Sequence, residues 1–163
     1  MEFTVEVPEV EELGEGEPGE VVLENAVRKA AAVEGRTVLG VDTAVVLEGR
    51  IYGKPRDEGE ARAFLERLAG GVHEVMSGVA LRAADGERSG VCTTRVRFRG
   101  LGREEIDWYL ASGEWRERAG GYAIQGRGAA LVAEIAGDYS NVVGLPVSTL
   151  VALAPGLLFA GVS

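Results

Sequence analysis

The sequence predicts an α/β fold, a mixed β-sheet flanked by helices, and two observations predict it. Alternating or continuously apolar segments interleave with segments of helical period in the order β-α-β-β-α-β-β-α-β-α. Hydrophobic residues fill 46% of the 163 positions, enough for one continuous core, so residues 1–163 read as a single domain.

Each element has its own local reason. Residues 3–7 (F-T-V-E-V) alternate and predict a short strand ended by Pro8, after which an acidic, glycine-rich loop runs to Gly19. From Glu20 the stripe Val22, Ala26, Ala30 and Val33 predicts a helix that stops at Gly35. Residues 37–41 and 44–47 are apolar and read as two buried strands, or as one strand interrupted at Asp42. Asp57 followed by Glu60 has the spacing of a capping box, opening a helix with Ala61, Phe64, Leu65 and Leu68 on its apolar face. Residues 73–83 and 91–98 predict a long hairpin turning near Asp85-Gly86. A helix over 103–112 presents Ile106, Tyr109 and Leu110 and stops at Gly113. Beyond the glycine-rich stretch AGGYAIQGRGA come a strand over 130–135, a loop GDYSN, and a helix from about Pro146 that fails at Pro155.

Charge and composition narrow the function. A formal net charge of -9 disfavours non-specific binding to DNA or RNA, which needs a basic face. A small anionic ligand remains compatible, provided a divalent cation stands between carboxylates and phosphate oxygens. The single cysteine, Cys92, permits no internal disulfide and fits a reducing, cytoplasmic location. No run approaches the roughly 20 apolar residues of a membrane span, and the opening Met1-Glu2-Phe3-Thr4 lacks the basic start of a signal peptide.

A few residue types stand out. Asp42 follows the apolar run VLGV, where an unpaired buried carboxylate is costly. It is either a turn aspartate capping Thr43 or Ala44, or an acid at a strand's end facing a metal, a cation or a ligand. Lys29 and Lys54 are the only lysines among 17 basic residues, and Lys54 sits between Gly53 and Pro55, which suits phosphate binding as well as it suits a solvated turn. Among Glu9, Glu11 and Glu12, one could join Asp42 in holding Mg²⁺, and spacing does not choose which. Arg116, Arg118 and Arg127 surround Gln125, the only glutamine, whose carboxamide matches the O4 and N3–H edge of uracil or thymine. A solvated loop is the plainer reading of that segment. His73 has no second histidine to form a zinc site, and Ser77, Ser140 and Ser148 lack a G-x-S-x-G context.

Taken together, VPEVEE at 7–12, RKAAAV at 28–33, VLGVDTAVVLEGRIYGKP at 38–55, EARAFLERLAGGVHEVMSGVAL at 60–81, TRVRFRGL at 94–101, EIDWYLASGEW at 105–115 and the run from Arg118 to Leu150 resemble the Maf family of nucleotide pyrophosphatases, the septum-formation-inhibitor-like proteins. The resemblance implies an elongated mixed sheet with a cleft, similar to inosine triphosphate pyrophosphatases. It implies hydrolysis of a nucleoside triphosphate to the monophosphate and pyrophosphate with Mg²⁺ or Mn²⁺. Carried over by motif, Asp42 is the proton acceptor, Glu12 the final acid of a Pro-x-x-x-Glu loop and second metal ligand, and Lys29 and Lys54 are catalytic lysines. Thr43 and Gln125 match the branch acting on dTTP and UTP, modified pyrimidine nucleotides included, and Arg118 stands where the family usually has lysine.

Family members usually begin with a strand, a Ser-x-Ser-Pro-Arg-Arg turn and a helix upstream of the position of Glu2, and this chain has none of these. That difference motivates a second reading, a catalytically impaired nucleotide-binding or regulatory protein linked to cell division arrest. Losing a strand of the sheet also predicts an exposed edge or apolar face, and with it either pairing with another chain, a homodimer included, or lowered solubility, with the apolar end at 156–163 covering part of that surface.

Overall fold

Glu17, rather than Glu20, opens the first helix in the computed structural model, which describes residues 3–159. The Glu17 carboxylate accepts the Glu20 N–H at 2.8 Å and Pro18 occupies the first turn, so α1 runs Pro18–Ala32. Strand β1 (Val38–Leu47) passes unbroken through Asp42. It turns at Glu48-Gly49, both with positive φ, into β2 (Arg50–Tyr52). Asp57 caps α2 (Glu58–Leu68) by accepting the Glu60 N–H at 2.8 Å. The Glu60 carboxylate, however, accepts from the Arg56 N–H at 2.7 Å, one residue before the position a full capping box would use.

The predicted hairpin is β3 (Val72–Ala83) and β4 (Gly86–Phe98), followed by α3 (Arg103–Leu110). Two 3₁₀ turns, Ala119–Gly121 and Gly126–Leu131, carry the chain to β5 (Val132–Ala136). Three short helices follow, α4 (Tyr139–Val143), α5 (Val147–Leu153) and α6 (Pro155–Phe159). The GDYSN loop is thus partly helical, because Asp138 caps it by accepting the Ser140 and Asn141 N–H groups. The role expected for 156–163 falls largely outside the described residues.

The sheet order is β2-β1-β3-β4-β5, with helices on it, as expected of an α/β fold. Its pairings correct the expectation of a mixed sheet: all four among the described residues are antiparallel, two of them imposed by the β1–β2 and β3–β4 hairpins. The strand predicted at 3–7 is also corrected. Phe3 and Val7 are 75% and 91% exposed and the segment is unpaired, since alternation yields a strand only where a neighbour supplies hydrogen bonds and a face to bury. No described helix is long and apolar enough to cross a membrane.

The two sheet faces are packed differently. On one, Ala26 and Ala30 of α1 meet Val38 and Ala80. A Cβ at Gly40 would lie 2.1 Å from the Ala26 carbonyl oxygen, and one at Gly78 would lie 2.2 Å from that of Val22, so two glycines let α1 rest directly on the strands. On the other face Val45, Val75, Val96 and Phe98 form the main core with Leu65 and Leu68 of α2 and Ile106, Tyr109 and Leu110 of α3.

Candidate active site

Asp42 lies on the α1 face of β1, directly across from Gly78. Strand β2 pairs only with residues 45–47 of β1, so at Asp42 the outer edge of β1 has no strand partner among the described residues. A carboxylate can therefore stand in mid-strand and border a cleft, which removes the turn-cap reading. Close seating of α1 brings two side chains, one helical turn apart, to this acid. The Lys29 ammonium donates to Asp42 Oδ1 at 2.6 Å and Asn25 Nδ2 donates to Oδ2 at 3.0 Å.

Lys29 is also 2.9 Å from Glu12 Oε1, which singles out one of the three acids in the opening loop. That loop is pinned to α1: the Leu13 N–H donates to Asn25 Oδ1 at 2.7 Å, Asn25 Nδ2 donates back to the Leu13 carbonyl, and Arg28 donates to the Glu11 carbonyl. Burial, the strongest single influence on Lys29, pushes its ammonium down, but the hydrogen bonds and charges of Asp42 and Glu12 outweigh it and hold Lys29 above the ordinary lysine range. The outcome is one lysine shared by two carboxylates, with the Asp42 side chain only 11% exposed.

A cleft of about 570 Å³ opens beside this cluster, bordered by Lys29, Asp42, Thr43, Lys54, Arg118 and Gln125. Of the seven site residues that the resemblance implies, six thus border one cavity and Glu12 joins through Lys29; Arg116 borders it as well, whereas Arg127 is not part of its lining. Lys54 reaches Glu117 at 3.5 Å, an exposed pair that is readily exchanged. Its turn is held by the Gly120 N–H donating to the Gly53 carbonyl, at a backbone φ of 67° that favours glycine. Thr43 points to the opposite face from Asp42, where its hydroxyl lies 2.7 Å from that of Ser77, its directly paired and fully buried neighbour on β3.

Three residues that support this arrangement have no assigned role in the sequence reading. Asn25 had a signal, being one of only two asparagines and four positions before Lys29 on the helix. Ser77 depends on strand register and Glu114 on a loop contact, and neither is visible in sequence spacing.

The fold and cleft define a class: an α/β protein whose sheet edge offers a carboxylate–lysine–carboxylate centre to a cavity with further cationic and amide walls. The chain belongs to the Maf family, and the family model described as Maf-like protein matches residues 1–156. A protein of Symbiobacterium thermophilum named dTTP/UTP pyrophosphatase is 51% identical over 150 residues, covering 88% of this chain and 77% of its own. Relatives with the same name from Dictyoglomus thermophilum and Pyrococcus furiosus are 43% and 42% identical, covering 92% and 88% of this chain and 82% and 77% of their own.

Proposed function

We propose that this protein is a nucleoside triphosphate pyrophosphatase that hydrolyses dTTP and UTP to the monophosphate and pyrophosphate. The observation that carries this reading is the Glu12–Lys29–Asp42 cluster in a cleft that also holds Gln125. The names of the relatives support it.

Asp42 is held at both oxygens, so its carboxylate is fixed in orientation and suited to align a water and take its proton as the anhydride opens. Lys54 exchanges Glu117 for phosphate oxygens, and Arg118 adds a second cation on the same cavity. Thr43 and Gln125 read the pyrimidine edge. The donor set also fits a divalent metal: Asp42 and Glu12 already share a cationic centre, and Mg²⁺ ordinarily takes one or two carboxylates plus substrate oxygens. When bound there, Mg²⁺ or Mn²⁺ supplies charge neutralisation at the phosphates.

The test is pyrophosphate release from dTTP, UTP, CTP and 7-methyl-GTP with Mg²⁺ or Mn²⁺. Release is expected from dTTP and UTP, reduced about 10²- to 10⁴-fold by Asp42→Asn. Nucleotide binding by calorimetry without turnover would replace this reading with the regulatory one.

A further inference from the structure

Gln125 lies on a turn whose position depends on a neighbouring segment. We propose that Glu114 is a positioning residue for base recognition, its carboxylate holding the backbone of the Gln125 turn so that the carboxamide is carried at one place in the cleft, where it meets the edge of uracil or thymine. This rests on the pyrimidine reading above.

Glu114 follows α3 just after Gly113, which has a φ of 72°, and its own N–H donates to the Ser112 hydroxyl at 3.1 Å. Both of its oxygens accept backbone N–H groups from beyond Gln125: Arg127 donates to Oε1 at 3.1 Å and Gly128 donates to Oε2 at 3.3 Å. Gly126, with a φ of 70°, is pressed so closely that a Cβ there would lie 2.6 Å from Glu114 Oε1. On the other side of Gln125 the Ala123 N–H donates to the Tyr109 hydroxyl at 3.1 Å. Arg127 adds a third hold, its guanidinium 5.1 Å above the Trp108 ring and donating to the Trp108 carbonyl. Gln125 is therefore bracketed by anchors at 123, 127 and 128, all supplied from 108–114.

A free carboxylate bordering a cavity for a triphosphate would repel its ligand. Engagement of both Glu114 oxygens with backbone donors gives the charge a structural use. Selectivity follows from the amide chemistry. Cytosine presents an amino donor and a ring acceptor where uracil presents a carbonyl and an N–H, so a carboxamide turned over by 180° matches cytosine. The backbone anchors fix where the Gln125 carboxamide stands in the cleft, and a turn set loose lets it approach either base edge, which erodes the preference for uracil. Glutamine at position 114 could accept only one of the two N–H groups and would set its own amide donors against the other.

The experiment compares wild type, Glu114→Gln and Gln125→Ala in kcat/KM for UTP and CTP, in calorimetric affinity for UMP and CMP, and in melting temperature. For Glu114→Gln, the UTP:CTP and UMP:CMP preferences are expected to fall about tenfold, the scale of one misplaced hydrogen bond. The loss for UTP is expected in KM, with a gain for CTP. If Glu114→Gln melts too low to assay, Tyr109→Phe relaxes the same turn from the other side and is expected to lower both ratios. A folded variant that keeps the wild-type ratios overturns the proposal, as does an equal fall in kcat for both nucleotides. If wild type releases no pyrophosphate but Glu114→Gln shifts the UMP:CMP ratio, the pyrophosphatase reading fails and this inference stands. Equal wild-type affinity for UMP and CMP would sink the inference whatever the turnover.

Discussion

Burial without a charge partner sets the behaviour of His73. Its Nε2 lies 2.7 Å from the Tyr122 hydroxyl and its ring meets Phe98 and Tyr122 edge-on at 4.9 and 5.5 Å. Burial pushes the imidazole down from the ordinary 6.5 to about 4. A folded pKa below the unfolded one leaves stability intact above 6.5 and withdraws it as pH falls through 4, a loss of about 3 kcal/mol. Urea unfolding at pH 7 and pH 4.5 checks this: His73→Phe should lose markedly less stability between the two than wild type, and equal losses would refute the mechanism. Asn25 gives a second prediction at this scale. It makes two hydrogen bonds with Leu13 and one with Asp42, so Asn25→Ala should cost about 2 kcal/mol and free the loop that carries Glu12. Pyrophosphate release should then fall about tenfold, a loss that Asn25→Asp does not repair, because it sets a second carboxylate against Asp42.

Among the elements, α1 matters most to the site, and its seating depends on two glycines. A methyl group at Gly78 would meet the Val22 backbone at 2.2 and 2.4 Å, against atoms that cannot swing aside. Gly78→Ala is therefore expected to lift α1 and cost about 3 kcal/mol, read as a lower urea midpoint. It should also reduce activity, because Lys29 and Asn25 leave Asp42 when α1 moves. Gly14→Ala, with nothing within 4 Å, is the control expected to change neither. Most elements were legible because their periodicity or caps are local, as with Val22, Ala26 and Ala30 on α1 or Asp57 before α2. The alternation at 3–7 predicts a strand that does not form, because strand formation depends on a partner that alternation alone does not reveal. The continuity of β1 through Asp42 is not legible in the sequence for a related reason, since only the pairing shows that the acid stands at an unpaired edge. Asp42 and the two lysines drew attention as oddities of composition, whereas Glu114 resembles any surface glutamate until the turn at Gln125 folds against it.

At the scale of the molecule, the cleft is built from parts distant in sequence. Lys29 comes from α1, Thr43 and Val75 from the sheet, Gln125 from the turn after α3, and Val142 to Gly144 from the end of α4. The α1 layer and the main core lie on opposite faces of the sheet, joined through β1 and β3. A ligand spanning the cavity therefore contacts both layers, and its binding energy counts against unfolding of either. A UTP analogue with a methylene bridge between its α and β phosphates should bind without being cleaved. At about 100 times its dissociation constant, with Mg²⁺, such a ligand should add about 2.7 kcal/mol. For a chain of this size that corresponds to a rise of about 5–10 °C in Tm. Differential scanning calorimetry should show one transition moving intact. A transition that splits, with one part unmoved, would mean that the ligand engages only one layer, and Asp42 and Gln125 could not then serve the same bound nucleotide. The shift should shrink when EDTA replaces the metal, because the protein carries a formal net charge of -9 and Lys29 is already shared between Asp42 and Glu12. Without a divalent cation the triphosphate, even with Lys54 and Arg118 on the same cavity, would meet two carboxylates that share a single lysine.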